Sequence, residues 1–129
     1  MDQKKRAWVY CHIDAPEDEH GRLKGQKKEL MDYAEQMGLE VTGGSQDTGS
    51  GLNSNRSGLA EVLEAAEAGK MDVLLLKNLS RLGRDTAKTM ACVRKLDELD
   101  IRIYSPLEGE IRFTQFEQLY RGHTAMSLE

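Results

Sequence analysis

The chain has 129 residues, 39% hydrophobic and 31% charged, with a formal net charge of −4. That length suits one domain with a real buried core, and the acidic balance argues against a protein that coats nucleic acid non-specifically. The longest uncharged apolar run, Val73–Leu76, is far too short to cross a bilayer, and two cysteines are too few for a disulfide scaffold.

Met1–Arg6 lacks the basic-apolar-small pattern of a signal peptide, so the expected location is cytoplasmic, with no membrane association. Cys11 and Cys92 sit in apolar contexts and are expected to be reduced core thiols. His12, His20 and His123 are isolated, so no metal site is expected.

In chain order, Ala7–Ile13 is rich in aromatic and β-branched residues and predicts a first strand. Asp14–Gly21 is polar and broken by Pro16. Leu23, Leu30, Ala34 and Met37 mark one face of a helix that stops at Gly38. Leu39–Thr42 predicts a short second strand, and Gly43–Asn55 a glycine-rich, mobile functional loop.

Leu59, Val62, Leu63 and Ala66 form the face of a second helix ending at Gly69. Asp72–Lys77 predicts a third strand and Ile101–Tyr104 a fourth. Between them Met90, Val93, Leu96 and Leu99 set a third helix over Thr86–Asp100. Thr114–Glu117 reads as a capping box opening a short helix to Arg121. This alternation predicts an α/β fold, a three-layer sandwich whose mostly parallel central sheet is flanked by helices.

The segment after the third strand, Lys77-Asn78-Leu79-Ser80-Arg81-Leu82-Gly83-Arg84-Asp85, carries the strongest chemical signal. Arginines at i and i+3 face the same way on a helical turn, and open α/β sheets place ligands past the carboxyl ends of their strands. Paired guanidiniums match phosphate oxygens. From Lys77 to Lys95 six basic residues stand against Asp85 alone, a net of +5 on a chain of net −4. A local basic surface on an acidic body suits a phosphate site.

A parallel sheet also brings Asp14, Arg56 and the Arg81/Arg84 pair to one edge. The loop Asp47-Thr48-Gly49-Ser50-Gly51 through Arg56, followed by Leu79-Ser80-Arg81-Leu82-Gly83-Arg84-Asp85, resembles the catalytic domain of the serine recombinases, the resolvase and invertase family that includes the large phage-type integrases. The likeness spans roughly residues 7–110. It implies a resolvase-like fold, DNA as substrate, and dimers that synapse as tetramers or pair with a related recombinase. It implies no metal and no cofactor.

In that family a serine closing the first strand attacks the scissile phosphate. Its oxygen bonds to phosphorus, the deoxyribose 3′ hydroxyl leaves, and arginines stabilise the transition state. On this resemblance Arg56, Arg81 and Arg84 fall at catalytic arginine positions and Gln26 at a supporting polar one. Arg56, Lys77, Ser80, Arg81, Arg84 and Lys88 are the expected contacts to the DNA phosphodiester backbone.

The first strand departs from the family pattern. Where the family has Tyr-x-Arg-Val-Ser, this chain has Tyr10, His12, Ile13 and Asp14. Asp14 cannot form a phosphoserine, so cleavage is expected to be impaired. Nearby serines at 50, 54 and 80 suit turn or capping roles. A carboxylate among guanidiniums would instead occupy the phosphate pocket. Opposite charges about 4 Å apart attract by roughly 4 kcal/mol at an effective dielectric of about 20, before desolvation.

The expected organisation is a catalytic domain over 1–112 and a short helix and tail over 113–129, with no separate DNA-binding domain. The alternative reading is a non-catalytic regulatory or dimerisation module on the same fold, with Phe113, Phe116, Leu119 and Tyr120 as interface candidates. A dinucleotide-binding reading fails because the Gly49-Ser50-Gly51 loop lacks the third glycine and the later acidic residue.

Overall fold

The computed structural model describes residues 4–13, 21–49, 57–78 and 86–112, without the side chains of 86–89. In chain order these form β1 (Arg6–Ile13), α1 (Arg22–Gln36), β2 (Glu40–Thr48), α2 (Ser57–Glu67), β3 (Val73–Leu75), α3 (Thr86–Glu98), β4 (Arg102–Ser105) and β5 (Gly109–Ile111). The strands make one sheet in the order β2-β1-β3-β4-β5. The first four run parallel, and β5 returns antiparallel to β4.

Alternation along β1 divides the core. Ala7, Val9, Cys11 and Ile13 pack with Leu23, Leu30 and Ala34 of α1. Tyr10 packs on the opposite side with Val62, Ala65 and Ala66 of α2 and with Val93 and Leu96 of α3. β1 and β3 are buried on both faces, which is why they appear as near-continuous apolar runs. Each fully buried leucine, such as Leu74, Leu75 or Leu96, contributes about 1.5–3 kcal/mol by leaving water. The three-layer α/β architecture is as expected. Cys11 and Cys92 are both buried, in the two cores on opposite sides of the sheet.

Four details correct the sequence expectations. β2 does not stop at Thr42 but continues through Gly43 and Gly44 to Thr48, in parallel register with β1 from Trp8↔Gly43 to Ile13↔Thr48. The glycines are there for space, because a Cβ on Gly43 would lie 2.4 Å from the Trp8 ring. β5 had no counterpart in the sequence analysis, its three residues being too short to show a period. Met37 is not on the buried helix face but at the C-cap of α1, 39% exposed. Finally, α3 ends at Glu98, and Asp100 lies beyond it in a left-handed turn, φ 63°.

The amino edge of the sheet is fastened by one pair. The Arg6 backbone N–H donates to Asp72 Oδ2 at 2.8 Å, and its guanidinium donates to Asp72 Oδ1 at 3.2 Å and to the Gly69 carbonyl at 2.7 Å. Hydrogen bonds from the Arg6 side chain and then its backbone hold the Asp72 carboxyl below its usual range. This sets the start of β3 beside the start of β1. Among the described residues no helix is long and apolar enough to cross a membrane.

Candidate functional site

Parallel pairing of β1 with β2 and with β3 sends the chain out of all three strands at the same edge. The three stretches that follow them in sequence hold Asp14, Arg56, and Ser80 with Arg81 and Arg84. Those five residues lie outside the described part of the structure. The described frame around them is tightly built.

Its centre is the end of β1. His12 is 3% exposed, Gln26 6% and Asp47 4%. The Gln26 carboxamide spans the His12 backbone: the His12 N–H donates to Oε1 at 3.0 Å, and Nε2 donates to the His12 carbonyl at 3.2 Å. The β1–β3 ladder ends at Val9↔Leu75. Beyond it β1 still pairs with β2 but has no strand on its β3 side, and there Gln26 of α1 supplies the partner for the His12 main chain. Two residues after His12 comes Asp14. Gln26 therefore fixes the strand end from which Asp14 leaves.

Asp47 does equivalent work for α2. Tyr10 donates its hydroxyl to Asp47 Oδ2 at 2.6 Å, Gly58 its N–H to Oδ1 at 2.7 Å, and Leu59 its N–H to Oδ2 at 2.9 Å. The first turn of α2 has no acidic residue of its own, so a carboxylate from β2 satisfies two N–H groups and the positive end of the helix dipole. The approach is close. A Cβ on Gly58 would lie 2.4 Å from the Gln46 carbonyl oxygen. A second strut joins the Trp8 indole N–H to Ser45 Oγ at 3.1 Å, and Ser45 Oγ to the Gly58 carbonyl at 2.7 Å. Arg56 precedes Ser57, the first residue of α2, in the chain.

The exit from β3 has its own brace. The Ser105 hydroxyl, wholly buried, donates to the Lys77 carbonyl at 2.6 Å and accepts the N–H groups of Leu107 and Glu108, each at 3.1 Å. Lys77 is half-buried at the head of the Ser80–Arg84 segment. Lys88 falls within α3, its side chain outside the described ones. Burial pushes the Cys11 thiol up to about 11 against the opposing charge of Lys27.

Of the residues expected at the site, the structure thus joins His12 to Gln26 and ties Lys77 to Ser105. Sequence reasoning quoted Tyr10 and Asp47 within motifs but gave neither a role, and it missed Ser45 and Ser105. The signal for Asp47 was present: an acid shortly before a helix whose first turn has none. Among the described residues no cluster of His, Cys, Asp or Glu is arranged to hold a metal ion.

The model of the Resolvase, N terminal domain family matches residues 15–126. The chain belongs to this family. The match begins one residue after Asp14, leaving β1 outside it. A resolvase/recombinase of Pseudomonas putida is 40% identical over 57 residues, 44% of this chain and 30% of that relative's length. The N-terminal catalytic domain of TP901-1 integrase superposes with a TM-score of 0.76 at 19% identity, covering 95% of this chain and 98% of that one. A resolvase family site-specific recombinase from Streptococcus pneumoniae gives 0.75 at 16%, covering 97% and 93%. The C-terminal catalytic domain of ISC1926 TnpA, an IS607-like serine recombinase, gives 0.69 at 27% identity, covering 78% and 68%. This resolvase-family chain therefore shares its fold with serine recombinase catalytic domains.

Proposed function

We propose that this chain is a serine recombinase catalytic domain that engages DNA phosphodiesters but is impaired in cleaving them. The observation that carries the reading is Asp14, an acid where the family pattern closes its first strand with the attacking serine. Arg56, Arg81 and Arg84 bind the nonbridging phosphate oxygens, with Lys77, Ser80 and Lys88 along the neighbouring backbone. His12 replaces a permanently charged arginine with a group that is neutral through much of the physiological range. Gln26 holds the strand end, and Asp47 with Tyr10 holds the start of α2. Dimers and synaptic tetramers, of this chain or with a related recombinase, are the expected working assemblies.

On this reading a carboxylate at position 14 would take the place of a DNA phosphate among the guanidiniums, and so placed it would titrate below the model-peptide value of about 3.9. NMR titration of Asp14 checks this, and a value at or above the model one removes the phosphate-mimic role.

The decisive test compares the unmodified chain with an Asp14→Ser, His12→Arg double variant. Each is incubated with DNA flanking its own gene and run on a denaturing gel. A covalent protein–DNA adduct in the variant alone is expected. An adduct formed by the unmodified chain would overturn the reading and direct attention to another nucleophile.

A further inference from the structure

α1 carries its charge the wrong way round for its own stability. A helix favours acids in its first turn and cations in its last, because its N-terminus is the positive end of the dipole. In α1 the first turn has no acid and the last turn no cation. Arg22, Lys24, Lys27 and Lys28 instead crowd its amino-terminal half, and Glu29, Asp32 and Glu35 follow.

The basic half lies at the carboxyl edge of the sheet. Gln26, in its midst, holds the His12 main chain near the end of β1. Past the other end of the helix, Met37 and Gly38 border a hollow with Lys4 and Lys5, just before β1 begins. Leu23, Gln26 and Leu30 are buried, while Lys24 and Lys28, one turn apart, are exposed. Lys27 borders a hollow of about 310 Å³ with Val9 and Cys11 of β1 and Gly44 and Gln46 of β2. Gly25, three residues from both Arg22 and Lys28, is exposed, and a Cβ there would meet nothing within 4 Å. No packing among the described residues requires this glycine, a poor helix former.

Two acids from outside this half reach it. Asp32 meets Lys28 at 3.3 Å, both side chains well exposed, and Glu61 borders the same hollow as Lys27. Lys24 and Lys27 make no ion pair with another described residue.

We infer that the basic half of α1 is a seat for the DNA phosphates that flank the one gripped by the arginines, an inference that rests on the phosphodiester reading above. Lys24, Lys27 and Lys28 displace counterions from the DNA backbone. The positive end of the helix adds to their field, and bare Gly25 lets the backbone come close. Gln26 ties this half of α1 to the strand end from which Asp14 leaves, so DNA seated on the helix is held in register with that edge.

Three variants of the full chain separate the seat from the site. One carries Lys24→Gln, Lys27→Gln and Lys28→Gln, and a second Arg81→Gln and Arg84→Gln. A third, with Lys4→Gln, Lys5→Gln and Lys70→Gln, removes as much charge as the first from exposed residues at the amino edge. Circular dichroism establishes that each is folded. Fluorescence anisotropy with a labelled duplex of the DNA flanking the chain's own gene reads affinity between roughly 20 and 200 mM salt. The α1 variant is expected to bind about tenfold or more weakly, its log–log salt slope smaller by about 2–3, near 0.9 for each lost phosphate contact. The amino-edge variant is expected to bind as the unmodified chain does. An α1 variant that keeps its affinity and slope while the arginine variant loses both would overturn the inference and leave the phosphodiester reading standing. The reverse pattern would uphold the seat and remove that reading. An amino-edge variant as weak as the α1 variant would overturn the inference. So would an unmodified chain that leaves the duplex unbound, with the adduct gel judging the phosphodiester reading separately.

Discussion

Asp47 is acceptor to three donors and almost wholly buried, which makes it the most consequential single side chain in the described frame. Truncating it strands the Gly58 and Leu59 N–H groups and the Tyr10 hydroxyl, and each unsatisfied buried donor costs about 1–3 kcal/mol. Asp47→Ala is therefore expected to destabilise by roughly 3 kcal/mol or more, and Tyr10→Phe by about 1–2 kcal/mol, measured from urea midpoints. Gly58→Ala should also destabilise, although alanine is the better helix former by about 1 kcal/mol. The added methyl has only the rigid Gln46 carbonyl to displace. A neutral or stabilising Gly58→Ala would show that α2 can slide on β2.

At the scale of elements, the three helices among the described residues end alike. In α1 and α2 the turn is made by Gly38 at φ 69° and Gly69 at φ 70°, and in α3 by Asp100 at φ 63°. Backbone bonds from Gly38, Gly69 and Asp100 N–H to the carbonyls of Glu35, Ala66 and Asp97 repeat the same geometry. Glycine adopts that conformation without steric cost. Asp100→Gly should raise stability by about 0.5–1 kcal/mol, whereas Gly69→Ala should lower it by about 1 kcal/mol; thermal unfolding checks both. The helices and β1 were legible because their apolar period runs uninterrupted. The far half of β2 was not, because Gly43 and Gly44 look like a loop until the Trp8 ring that fills the space above Gly43 is known. β5 depends on pairing with β4, which no local pattern announces. At the site, Gln26 was legible only through the family likeness. The role of Asp47 at the start of α2 left a local signal, but its bond from Tyr10 was hidden, because the two are distant in sequence and meet only after the sheet forms.

At the scale of the whole molecule, Asp72 and Cys11 are two described groups that act at opposite ends of the pH range. Asp72 has a lowered folded pKa, so what it contributes is present above the unfolded carboxyl value and fades as pH falls through the folded one. Cys11 runs the other way. Its folded value is about 11 against 9.0 for a free thiol, so the unfolded chain loses this proton first. Stability drawn from it is complete below about 9 and is lost as pH rises toward about 11. Urea midpoints across pH should fall at both ends. Asp72→Asn should flatten the acid limb and Cys11→Val the alkaline one, each compared with the unmodified chain.

Trp8 is the sole tryptophan of the chain, and its indole reaches through Ser45 to the first turn of α2. The protein thus contains its own optical gauge. Indole emission reports one joint, the seating of α2 on β2, with no competing fluorophore of the same kind. Any event at the carboxyl edge that lifts that helix should move the emission maximum, and any event that leaves the helix seated should not. Binding at the edge can therefore be followed in unlabelled protein, in real time.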